Sequence, residues 1–213
     1  SRMGAHCCHH HPHEGRAGLP NARYRTVLWL ALLVNAAMFL VEIVAGVRAG
    51  SVSLLADSLD FFGDAANYGI SLWVLGLALA TRARAALVKA ISMGAFGAWV
   101  LGSAAWHAVA GGVPHAATMG AIGALALAAN LGVAVLLYAW REGDSNMRSV
   151  WLCTRNDALG NLAVLLAALG VFGTGTAWPD LIVAAVMGVL ALQAAVAVTR
   201  QARTELAAEA AAS

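Results

Sequence analysis

Charge is what this 213-residue chain has little of: 13 Lys+Arg and 11 Asp+Glu amount to 11% of it, against 61% hydrophobic residues. A water-soluble domain carries nearer a quarter of its residues as charge, and too few polar side chains remain here to coat a surface facing water. A soluble enzyme and a disordered chain are therefore excluded. Cysteine is almost missing as well. Only Cys7, Cys8 and Cys153 occur, the first two adjacent, so no disulfide scaffold can be drawn. A net charge of +2 says nothing in favour of nucleic acid, and none is expected as a partner. The composition is that of an integral membrane protein whose main partner is the lipid bilayer.

What is present in abundance is uncharged sequence. A helix needs roughly 20 apolar residues to cross the hydrocarbon. The uncharged runs predict six such helices near 27–47, 52–80, 86–109, 117–140, 148–172 and 179–199. The fold class is thus an all-α membrane protein with six transmembrane helices. A tail at 1–26 precedes the membrane domain at 27–199, and a short tail at 200–213 follows it. Glycines such as Gly94, Gly97, Gly102, Gly120, Gly123 and Gly132 suit helices that pack closely without a water-driven core. Arg16, Arg23 and Arg25 precede helix one, Arg82, Arg84 and Lys89 sit between two and three, Arg141 and Arg148 between four and five, and Arg200 and Arg203 after six. The opposite loops hold only Arg48, with His107 and His115, so the excess of basic residues places both termini in the cytoplasm.

Against this background a few ionisable residues stand out, because a charge in the membrane costs about 2.5–3.5 kcal/mol or more. Helix two carries Asp57, Asp60 and Asp64. At 100° per residue Asp60 and Asp64 lie about 300° and 340° round from Asp57, so all three share one stripe. Helix five carries Cys153 and Asp157, about 40° apart, with Arg155 pointing away. Asp64 and Asp157 fall at similar depth near the midplane. Brought together, Asp60, Asp64, Cys153 and Asp157 offer three carboxylates and a sulfur, a number that suits a tetrahedral dication such as zinc. Like charges repel in such a site when it is empty, so protons should occupy it and leave as metal binds. Glu42 and Asn35 share a face of helix one. Glu42 and Asp57 read as structural or proton-path residues, and Asn35, Asn67, Asn130 and Asn161 as glue between helices. The tract His6, Cys7, Cys8, His9, His10, His11 and His13 combines imidazole and thiolate, and reads either as an accessory metal-gathering tail or as an inert one.

The segments Asn35 to Gly46 and Gly50 to Asp57, the Asp60/Asp64 pair, and the run Cys153-Thr154-Arg155-Asn156-Asp157-Ala158-Leu159-Gly160 together resemble the cation diffusion facilitator family of six-helix divalent-metal/proton antiporters. The resemblance implies a secondary transporter that is no enzyme, has no prosthetic group, and exports Zn2+ and Cd2+ from the bacterial cytoplasm across the inner membrane in exchange for protons. Co2+ and Ni2+ are further candidate substrates. The family usually has His where Cys153 stands, and a softer sulfur ligand favours zinc and cadmium over harder ions. Most members also carry a cytoplasmic C-terminal domain that dimerises; this chain ends soon after helix six, and a homodimer would have to form through the membrane helices. Two rival readings use the same acids: a proton-coupled exporter of organic cations, and a metal-binding or sensing subunit of a larger efflux system. An intramembrane aspartyl protease is formally conceivable from Asp60 and Asp157, but nothing else in the sequence supports hydrolysis.

Overall fold

The computed structural model describes residues 22–73, 79–140 and 145–212. Among them are six α-helices: α1 (Ala22–Ala49), α2 (Val52–Trp73), α3 (Leu79–Ala110), α4 (Ala116–Leu137), α5 (Ser145–Thr174) and α6 (Trp178–Ala212). A single 3-10 turn at Tyr138–Trp140 extends α4. The helices alternate in direction. The end of α1 bonds the start of α4 through the His115 N–H and the Ala49 carbonyl at 2.9 Å, and the start of α2 is fastened to the start of α6. One end of the bundle therefore holds the loops at 50–51, 111–115 and 175–177, called here the distal end. The other holds both described chain ends and is called the terminal end.

The exterior is apolar and the interior partly polar, the reverse of a soluble bundle. Leu33, Leu40, Val47, Val88, Val109, Val135, Leu169 and Phe172 all point outward. Five helices are long and apolar enough to cross a membrane by length and composition. The exception is α2, whose three aspartates interrupt every apolar window. It lies inside the bundle, packed on α1, α3, α5 and α6, and every residue from Ser51 to Leu59 is buried. Its neighbours shield it from lipid. Glycine permits close packing on α2 and elsewhere: a Cβ on Gly46 of α1 would lie 2.8 Å from the Leu55 side chain of α2, and one on Gly188 of α6 would lie 2.8 Å from the Leu101 side chain of α3.

Both ends of the α1–α2 turn are chemically specified. Gly50 adopts φ 64°, a left-handed conformation that glycine takes without strain. The Ser51 and Gly50 N–H groups then bond back to the Gly46 and Val47 carbonyls, closing α1 with a Schellman motif. At the start of α2, Ser51 Oγ accepts from Leu54 N at 3.2 Å. The remaining donors are taken by a residue 128 positions away. The buried Asp180 carboxylate accepts from Val52 N at 2.8 Å, Ser53 N at 3.0 Å and Ser51 Oγ at 2.7 Å. A carboxylate at a helix N-terminus meets both its unsatisfied N–H groups and the positive end of its dipole.

Several boundaries differ from the sequence-based expectation. Residues 79–80 belong to α3 rather than to helix two, and α3 starts seven residues before 86. Lys89 is therefore ten residues into α3 and buried, not a loop cation. Its position on the core-facing stripe with Met93, Gly97 and Val100 explains why. Helix α6 continues unbroken past Thr199, so residues 200–212 are helical.

Replacing Asp180 with Asn leaves one carbonyl oxygen for three donors and strands a buried N–H at the head of α2. The expected loss is about 1–3 kcal/mol of stability, read as a lowered Tm in detergent. An unchanged Tm would show that α2 is held by packing alone.

Candidate metal centre

Helix α2 presents Asp57, Asp60, Asp64, Asn67 and Tyr68 on one side, as the 3.6-residue repeat requires. Asp57 is fully buried, Asp64 nearly so, and Asp60 half-buried. Asp64 lies twelve residues after Val52, about 18 Å along a 22-residue helix, close to its middle.

Helix α5 reaches this stripe through a glycine. A Cβ on Gly160 would lie 3.5 Å from Asp60 Oδ2 and 3.7 Å from Asp57 Oδ1, so two carboxylates of α2 border the bare backbone of α5. One turn back along α5 stands Asp157, and nearly two turns back Thr154. The Tyr68 hydroxyl joins the two helices, donating to Asp64 Oδ2 at 3.0 Å and lying 2.7 Å from Thr154 Oγ1. The Asp64 carboxyl is also in hydrogen-bonding contact with Thr154 and Asp157. Two carboxyl groups can make such a contact only with a proton between them, or with a cation in its place. Among the described residues no three of His, Cys, Asp and Glu stand close enough to wrap an ion. Asp64 and Asp157 form the closed pair, and Asp60 stands one turn to the distal side.

The other expected residues distribute as follows. Cys153 belongs to α5 by its backbone, but its side chain lies outside the described residues, as does that of Arg155. His6, Cys7, Cys8, His9, His10, His11 and His13 all lie outside them too. Glu42 of α1 and Asp57 are fully buried and face each other, yet none of their four oxygens makes a hydrogen bond of good geometry. The asparagines do not act as a set. Asn67 accepts from the Lys89 ammonium, whereas Asn35 Nδ2 bonds within its own helix to Ala31 O at 2.8 Å. The Asn35 Oδ1 and both polar atoms of Asn130 and Asn161 lack partners. Asn35 lies between Ala31 and Met38 and Asn130 between Ala126 and Val133, and those flanking residues join in the same two clusters with Phe61 and Tyr68. The two amides thus occupy one level of the bundle, beside the Asp64 pair.

Three contributors were not identified from the sequence. Asp180 was not singled out. Gly160 was noted only as the end of the family-like run on helix five. Lys89 looked like a loop cation, although its spacing from Met93 and Gly97 marks it as core-facing.

Alternating membrane-length helices around a central acidic one define a polytopic membrane protein with carboxyl groups in its interior. The particular family follows from the sequence match: the cation efflux transmembrane domain aligns with residues 28–207, and the chain belongs to the cation efflux family of metal-cation transporters.

The α2–α5 junction can be tested at Gly160. A Cβ at 3.5 Å makes ordinary contact, so Gly160→Ala should transport metal like the parent. Gly160→Val pushes methyl groups into the Asp57 and Asp60 carboxylates. It should reduce vesicle transport at least about tenfold while costing no more than about 1–3 kcal/mol of stability. Full activity in the valine variant would show that α5 does not approach α2 here during transport.

Proposed function

We propose that the protein exports Zn2+, with Cd2+ as a second substrate, from the bacterial cytoplasm across the inner membrane in exchange for protons. The observation that carries this reading is the contact between Asp64 and Asp157, two acids from different helices near the middle of the bundle. A dication in place of the shared proton is held by the same oxygens, so loading with metal releases protons and reprotonation releases metal. Asp60, one turn away, and the Cys153 thiolate complete a four-ligand set when α2 and α5 close on the ion. The chemistry is that of a carrier: no covalent bond is made or broken.

Orientation follows the basic residues. Arg23, Arg25, Arg84, Arg200 and Arg203 lie at the terminal end and Arg48 at the distal end, which supports cytoplasmic termini. A fixed site near the midplane, exposed first to one end and then to the other by rocking helices, is the arrangement expected of secondary transporters. The anchor between Asp180 and the head of α2 makes the distal end of α2 move with α6. The N-terminal His/Cys tract serves as an accessory metal collector beside the cytoplasmic mouth.

Asp64→Ala or Asp157→Ala should abolish zinc-dependent proton movement in proteoliposomes that carry a pH dye and a zinc dye, with the protein still folded. Parental flux in either variant would remove the site. Cys153→His should retain zinc transport and lose cadmium preference. An unchanged ranking of the two metals would show that sulfur is not a ligand.

A further inference from the structure

The chain uses arginine for twelve of its thirteen basic residues. Its one lysine, Lys89, is also the one basic side chain buried among the described residues, at 7% exposure. Its ammonium donates to Asn67 Oδ1 across the α2–α3 interface. Asn67 is three residues beyond Asp64 on the same face of α2, towards the terminal end, so Lys89 stands on that side of the Asp64–Asp157 pair.

A buried ammonium needs more than one neutral amide, because the desolvation of a full charge is offset only by a charged partner or several good hydrogen bonds. The Asp64 carboxyl supplies the charge: the Lys89 ammonium acts on it electrostatically through the interior of the bundle. We propose that Lys89 is the resident counter-cation of the transport site, bonded to Asn67 and within electrostatic reach of Asp64 while the site is free of metal, and driven towards the terminal mouth when a dication binds. This rests on the reading that Asp64 and Asp157 hold the transported metal.

The residue type fits that role. A guanidinium would lock onto a carboxylate through two parallel hydrogen bonds and stay there. An ammonium is a compact point charge on a flexible four-carbon stem, able to leave a partner and reach water with its head while its stem remains on apolar surface. Once a dication shares Asp64, the two positive charges repel in a medium of low dielectric, which weakens metal binding and hastens release. Lys89 is thus a positioning and affinity-setting residue rather than a ligand.

Two measurements on the full-length protein test this. In Lys89→Gln the amide can still donate to Asn67 but carries no charge. Its zinc affinity by calorimetry at about pH 8, where protons compete least with metal, should be tighter than the parent's by about tenfold. A purely structural role for Lys89 predicts unchanged or weaker binding. In the parent protein, a single lysine makes amine labelling unambiguous by mass spectrometry. Acylation of Lys89 should rise several-fold on adding zinc, as the ammonium leaves the bundle, and this readout stands if the glutamine variant fails to fold. Unchanged or weakened affinity in Lys89→Gln, or labelling that zinc does not increase, overturns the proposal. Parent protein that binds no zinc at all overturns the metal site itself, a result distinct from normal zinc binding that is insensitive to Lys89.

Discussion

The rest of the structure depends on the cost of holding carboxylates inside hydrocarbon. Three aspartates on one 22-residue helix prevent α2 from facing lipid, because each would add several kcal/mol to its insertion. The bundle answers by enclosing α2 among four other helices and turning their apolar faces outward. Enclosure removes lipid but not desolvation. Each acid then needs a hydrogen bond, a proton or a cation, and a different solution operates at each level of the helix. At its head, Asp180 is satisfied by three donors from the α2 N-terminus. In its middle, Asp64 is satisfied by Tyr68, Thr154 and the Asp157 carboxyl. Between them, Asp57 and Glu42 face each other without a hydrogen bond of good geometry.

These differences separate the rigid part of the machinery from the responsive part. The Asp180 anchor involves a carboxylate with two backbone N–H groups and one hydroxyl, partners whose charge is fixed, so it behaves as a permanent joint. The Asp64–Asp157 contact depends on what lies between the two carboxyls, and exchanging a proton for a dication changes the geometry it prefers. Gly160 lets this happen at short range, since the α5 backbone passes beside Asp57 and Asp60 with no side chain in the way. A stiff joint at one end of α2 and a substrate-dependent contact at its centre are what a helix needs to pivot rather than dissolve.

Much of this was legible in the sequence, and the limits have physical causes. Six helices could be read because bilayer crossing imposes a length and an apolar composition that few other structures share. The acidic stripe could be read because the repeat of a helix is fixed, and the similar depth of Asp64 and Asp157 because each sits a countable distance along its span. What could not be read were relations between helices. Nothing in the chain announces that Asp180 caps a helix beginning at Val52, since the cap and its donors are 128 residues apart. The end of helix two was placed too far along because the uncharged run continues past Trp73, and apolarity alone does not mark where one helix stops and the next begins. Lys89 was assigned to a loop because positive charge near the edge of an apolar run ordinarily marks the membrane boundary. The competing signal, its four-residue spacing from Met93 and then Gly97 inside the span expected at 86–109, shows which face Lys89 shares but not that this face packs on α2.

The distribution of unsatisfied groups along the bundle gives the proposed transport site a direction. On the distal side of Asp64 lie Asp60, Asp57 and Glu42, with Asn161 on α5, and several of their oxygens have no partner. Among the described side chains, the first charged group on the terminal side is the Lys89 ammonium. A dication at Asp64 and Asp157 therefore meets acceptors in one direction and repulsion in the other, in surroundings where both are felt strongly. If the terminal end faces the cytoplasm, this gradient opposes return and favours departure to the outside, the sense of movement an exporter needs. The field does not supply the free energy of transport, which in the proposed exchange comes from protons. It sets which mouth the ion leaves by once α2 and α5 part, and it does so with side chains already required to make a buried acidic helix tolerable.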